Sequence, residues 1–194
     1  MIISNEKSFI YAAVPKTAST AMEKALHPYE DMHPETLYKK HAPFWEIKDQ
    51  YNLNDYFTFC FFRNPWDLLV SKYFFHKQGW NITTADFCFD MNDYTFERFI
   101  TDEDLSKLTY EYHHLYTQTD YVRGVSVDMI YKYEELPQAI EDINSRLGLH
   151  IQLDTKNQSQ HEHYARYYSE ATRAIVSERW RESIERMGYV YADS

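Results

Sequence analysis

The sequence predicts an α/β fold: three layers, with a mainly parallel central sheet flanked by helices. Two strand-to-helix junctions and the alternation of strands with helices predict it. The first junction is FIYAAVPKTASTAMEKAL, Phe9 to Leu26. The second is YFTFCFFRNPWDLLVSKYFF, Tyr56 to Phe75. A third apolar run, Val127 to Tyr133, leads into a helix opened by Pro137. Strands that alternate with helices favour a parallel sheet with right-handed crossovers. In such sheets ligands sit beyond the carboxyl ends of the strands, which is where Lys16 and Arg63 fall. With 194 residues the chain is sized for one domain, 1–194, with a sizeable core.

Taken in order, Met1 to Ser4 reads as a short edge strand, turned by Asn5-Glu6-Lys7 into the first core strand, Phe9 to Val14. That strand is apolar and rich in aromatic and β-branched residues. Pro15-Lys16-Thr17-Ala18-Ser19-Thr20 then interrupts it with one cation and three hydroxyls. From Ala21 the composition is helical. A loop of this kind directs backbone N–H groups and the positive end of the helix dipole at one point, a natural place for an anion such as phosphate. A nucleotide cradle of the Walker A type needs paired glycines, and no glycine precedes Gly79. The plainer reading is that the hydroxyls cap the helix.

The second junction adds a partner. The strand Tyr56 to Phe62 stops at Arg63. Asn64 suits the N-cap, Pro65 the first helical position and Asp67 the first turn. A lone Arg at a strand end is a fork for a second phosphate, and Ser71 adds a hydroxyl two turns on. Further along, Phe96, Phe99 and Ile100 mark one helix, and Leu105, Leu108, Tyr112 and Leu115 another. His113 and His114 on the latter are adjacent and diverge by about 100°, which does not suit a shared metal. Ala139, Ile140, Ile143 and Leu147 form the stripe of a helix that Gly148 ends. Residues 154–164 read as a polar loop. Ile175, Val176, Trp180, Ile184 and Met187 line one long helix from near Ser169 to Gly188.

PKTAST and FRNPWDLLVSKY, in this order, resemble two motifs of sulfotransferases that use 3′-phosphoadenosine 5′-phosphosulfate (PAPS). The likeness extends more weakly to KHAPFWEIK, MIYKYEEL and the closing helix ending in MGY. It is greatest to the carbohydrate-type (Golgi-type, uronyl 2-O-sulfotransferase-like) branch. The resemblance implies a P-loop-like fold and in-line transfer of a sulfuryl group from PAPS to a hydroxyl, leaving 3′,5′-adenosine bisphosphate (PAP). It implies that Lys16, Thr17, Ala18, Ser19 and Thr20 hold the 5′-phosphosulfate, that Arg63 and Ser71 hold the 3′-phosphate, and that no metal takes part. His41 lies where the family's uronyl-type members place a base, and a His suits proton removal near neutral pH. Its plainer reading is one of nine His without a chemical task. His33 and His76 are alternatives. The acceptor implied is a saccharide or a small metabolite.

Composition bounds the rest. Apolar residues make up 44% and aromatic residues 18% of the chain, which excludes a disordered protein. The formal charge of −10 argues against nucleic acid as a partner of the whole surface. Lys39, Lys40, Lys72 and Lys77 are candidates for a local basic patch. Cys60 and Cys88 have no ligand-like spacing and nothing requires a disulfide. With no signal peptide or apolar span evident, a cytoplasmic protein is expected. Oligomeric state is not readable. Two rivals stay open: a P-loop kinase-like phosphotransferase, which would need Mg²⁺, and a non-catalytic nucleotide-binding module on the same fold.

Overall fold

The computed structural model describes residues 1–31, 40–78, 82–83, 88–89, 93–102, 117–153 and 161–192. The sequence readings at His33, Lys39, Leu105 to Leu115, His113, His114 and 154–160 lie outside the described residues. The core is a four-stranded sheet of β1 (Ile2–Ser4), β2 (Phe9–Ala12), β3 (Phe57–Phe62) and, fourth in the sheet, β6 (Met129–Lys132). A separate two-stranded ribbon pairs β4 (Ile82–Thr83) with β5 (Cys88–Phe89). β1 runs antiparallel to β2 at one edge, while β2, β3 and β6 are parallel to one another. The helices are α1 (Ser19–Leu26), α2 (Pro65–Lys77), α3 (Phe96–Thr101), α4 (Leu136–Leu147), α5 (Glu170–Arg179) and α6 (Arg181–Met187).

β2 is apolar throughout and β3 is apolar but for Thr58, because both faces of the sheet are covered at these strands. Successive side chains alternate between the faces. Ile10, Ala12, Cys60 and Phe62 face Phe44, Ile47 and Tyr121, which come from short 3₁₀ turns or their flanks. Phe9, Tyr11, Phe59 and Phe61 face Met22 and Leu26 of α1 and Ala139 and Ile143 of α4. A third cluster joins α2 (Trp66, Leu69, Val70, Tyr73) to Phe96, Phe99, Tyr164, Val176 and Trp180. α2 is thus covered on nearly every side, and it buries even Ser71, Lys72 and His76.

Local signals act where the sequence places them. Asn64 caps α2, its side chain accepting from the Trp66 N–H at 3.1 Å, with Pro65 in the first turn. Gly148 and Gly188 end α4 and α6 in the left-handed region, at φ 62° and 64°. Two expectations change. α1 begins at Ser19, two residues before Ala21. The helix expected from Ser169 to Gly188 is two helices, divided at Trp180 (φ −106°, ψ 18°).

Central strand β3 is fastened at both ends by side chains. At its start, the Thr58 N–H and hydroxyl both donate to the Asp128 carboxylate at 2.7 Å. At its end, the Gln118 amide accepts from the Arg63 N–H at 2.6 Å and donates to the Arg63 carbonyl at 2.7 Å.

Candidate active site

The parallel register brings the ends of β2 and β3 side by side, with Ala12 opposite Cys60. The two loops that follow are joined directly: the Arg63 Nη1 donates to the Lys16 carbonyl oxygen at 3.0 Å. The sequence-predicted residues Lys16 to Thr20 and Arg63 are therefore parts of one locus, 47 residues apart in the chain.

The loop before α1 has an unusual backbone. Lys16 (φ 65°) and Ala18 (φ 59°) both occupy the left-handed region without being glycine. Ala18 is the N-cap of α1, and no side chain caps the helix. The hydroxyls are used otherwise. Thr17, fully buried, donates back to the Val14 carbonyl at 2.8 Å. Thr20 accepts from Lys40 Nζ at 3.0 Å. The capping reading of this loop therefore does not hold. The first-turn amides of a helix lack intrahelical acceptors, so this end of α1 suits an anionic ligand.

Lys16 is half-buried, with its ammonium 4.3 Å from the centroid of the Phe75 ring. Burial, and secondarily the nearby Arg63 charge, push its pKa down to about 8. Arg63 is 7% exposed. Its Nε–H donates to Asp67 Oδ2 at 2.8 Å, and Nη2 lies 2.7 Å from the same oxygen. The guanidinium carbon stands 4.6 Å from the Tyr133 ring centroid. Among the described residues these bonds leave one N–H on each Nη nitrogen for a ligand. Ser71 is buried on α2.

His41 is half-buried, and its Nδ1 lies 2.6 Å from the Ala13 carbonyl, at the end of β2. A carbonyl only accepts, so Nδ1 carries the proton and the lone pair of the neutral ring is on Nε2. This is the form a general base needs. His76 is buried in the last turn of α2, at 5% exposure.

Lys72 overturns its surface reading. It is 3% exposed, and burial, with the Arg179 charge and in spite of Asp120, lowers its pKa to about 7. Gln118, Asp67 and Tyr133 are further residues at the locus that sequence reasoning missed as site residues. Lys40, which also pairs with Glu23 at 3.0 Å, is at the mouth of the first loop rather than in a general basic patch. Among the described residues no group of three or more His, Cys, Asp or Glu is placed to hold a metal ion. Among them, no helix is long and apolar enough to cross a membrane.

The fold and this locus define a class: an α/β protein with a cationic, amide-rich corner at the carboxyl ends of parallel strands, suited to phosphate-type ligands. A sequence model of the sulfotransferase family matches residues 1–190, and the chain belongs to that family. It is also similar to an uncharacterized protein of Archaeoglobus fulgidus, with 31% identity over 120 residues, covering 59% of this chain and 88% of that protein. No solved structure matches the chain.

Proposed function

We propose that the protein transfers a sulfuryl group from PAPS to a hydroxyl of a saccharide or small-metabolite acceptor, by in-line displacement. Family membership supports sulfuryl transfer. The observation that carries the donor assignment is the bond from Arg63 to the Lys16 carbonyl, which makes one locus of the two phosphate-type loops.

In this reading the amides of Thr17, Ala18, Ser19 and Thr20 bind the 5′-phosphosulfate. Thr17 acts through its backbone, because its hydroxyl is already committed to Val14. Lys16 stabilises the negative charge that grows on the departing phosphate oxygen. The Nη groups of Arg63 and the Ser71 hydroxyl bind the 3′-phosphate, which distinguishes PAPS from ATP. His41 accepts the acceptor's proton at Nε2. Holding donor and hydroxyl in line supplies much of the acceleration.

The test is thermal unfolding with saturating PAP against ADP and ATP. Ligand at about 100 times its Kd adds roughly 2.7 kcal/mol, which for a chain of this size is a rise on the order of 5–10 °C. A rise with PAP alone supports the reading. A rise with ATP and Mg²⁺ favours the kinase-like rival, and no rise with any of the three overturns the donor assignment. With PAP binding shown, His41→Ala should abolish PAPS turnover on a responsive acceptor while leaving PAP binding intact. Unchanged turnover would remove His41 from the mechanism.

A further inference from the structure

Arg63 is useful to a phosphate only if its planar fork is held in one orientation, because the donor geometry is fixed in the plane of the guanidinium. Besides the Nη1 bond to the Lys16 carbonyl, three features of the structure hold it. The Gln118 amide fixes the Arg63 backbone. Asp67 takes two adjacent N–H groups on one carboxylate oxygen, which sets one edge of the fork. The third is Tyr133. In the parallel register Phe62 pairs with Lys132, so the next residue along each strand, Arg63 and Tyr133, come to lie side by side. The ring then lies beneath the guanidinium carbon at 4.6 Å. The neighbouring Glu134 supports this placement. It accepts the Asn64 N–H at 2.7 Å and the Tyr189 hydroxyl at 3.3 Å. The residue after Arg63 is thereby bonded to the residue after Tyr133, while Phe62 and Lys132 are paired before them.

We propose that Tyr133 is a positioning residue for Arg63, and that its ring determines the preference of the site for nucleotides bearing a 3′-phosphate. The inference rests on the donor reading given above. Asp67 and the Lys16 carbonyl anchor the fork by hydrogen bonds in its own plane. The ring face supports the guanidinium from outside that plane and favours the cation by its quadrupole. The ring, and not the hydroxyl, is the part required.

The experiment measures the affinities of PAP and of 5′-AMP by isothermal titration calorimetry for the wild type, Tyr133→Phe and Tyr133→Leu. The two nucleotides differ only by the 3′-phosphate, so their affinity ratio reads Arg63 and is insensitive to general loosening of the fold. Tyr133→Phe should keep the wild-type ratio within about twofold. Tyr133→Leu should lower it at least tenfold while the 5′-AMP affinity stays within about twofold. If the wild type itself shows no preference for PAP, the donor reading falls and this assignment with it. If the wild type prefers PAP and Tyr133→Leu retains that preference, the assignment alone is overturned. A tenfold loss in Tyr133→Phe also overturns it, and does so even if the leucine variant does not fold.

Discussion

Gln118→Leu removes the amide that closes the end of β3 and keeps a side chain of similar size. Both Arg63 backbone groups then lose their partner inside a site where Arg63 is 7% and Gln118 1% exposed. An orphaned buried donor or acceptor costs about 1–3 kcal/mol. Two of them cost roughly 2–6 kcal/mol, less about 1–2 kcal/mol recovered by the added apolar burial of leucine. A net loss between about 0 and 5 kcal/mol follows, centred near 2.5 kcal/mol, and that central value is equivalent to a fall in Tm on the order of 5–10 °C for a domain of this size. Urea unfolding measures the stability, and amide hydrogen exchange resolves the cause. The Arg63 amide should exchange markedly faster in the variant, while the amides in the middle of β3 slow or quicken only with global stability. A loss below about 1 kcal/mol, together with unchanged Arg63 exchange, would refute the claim that the Gln118 amide holds this strand end.

Two further outcomes follow from the first loop. Ala18 sits at φ 59°, ψ 21°, where a non-glycine residue carries strain of about 1–2 kcal/mol. Ala18→Gly relieves it, and the greater freedom of the unfolded chain returns about 0.4–1 kcal/mol. Urea unfolding should therefore show a gain of about 0.5–1 kcal/mol, with Ala18→Val losing stability; a loss on Ala18→Gly would contradict the strained backbone. Lys16, with its pKa lowered to about 8, is charged below that pH and progressively neutral above it. Binding of anionic PAP favours the ammonium form, so affinity should hold below pH 8 and fall as pH rises beyond it. Calorimetry at pH 8.5 in buffers of different ionisation enthalpy should detect proton uptake that Lys16→Met lacks; equal uptake in both proteins would place the titrating group elsewhere.

What the sequence shows of this fold is what neighbouring residues decide. Asn64-Pro65 announces α2 because a cap and a fixed φ act within one turn, and Gly148 and Gly188 mark helix ends for the same reason. The two loops that the structure brings together were also legible, since a cation beside hydroxyls and an Arg at a strand end are local patterns. What failed to show was either unusual backbone or distant partnership. No glycine signals the left-handed turn at Ala18, so α1 seemed to begin two residues late. The apolar stripe through Trp180 continues across a break that no Gly or Pro marks. Lys72 looks like a surface residue because nothing adjacent announces that α2 is covered on nearly all sides. Tyr133 reaches Arg63 through the strand register and Gln118 from a 3₁₀ turn 55 residues away, and residue type alone gives a glutamine no address.

The two fasteners on β3 also bear on the order in which the molecule can be made. Thr58 and Arg63 are each completed by a residue that comes much later, Asp128 at a separation of 70 and Gln118 at 55. A chain emerging from its amino end can pair β1 with β2 and wind α1 by near-neighbour contacts. The central strand then stays unfinished at both ends until residues 118 to 132 arrive. Contacts of such long span are closed late and slowly, and an apolar strand left waiting is open to other chains. The corner that carries Lys16 and Arg63 is thus among the last parts to set, and a chain cut short before residue 118 would retain both loops but lack Gln118, Asp128 and Tyr133, which fasten β3 and Arg63.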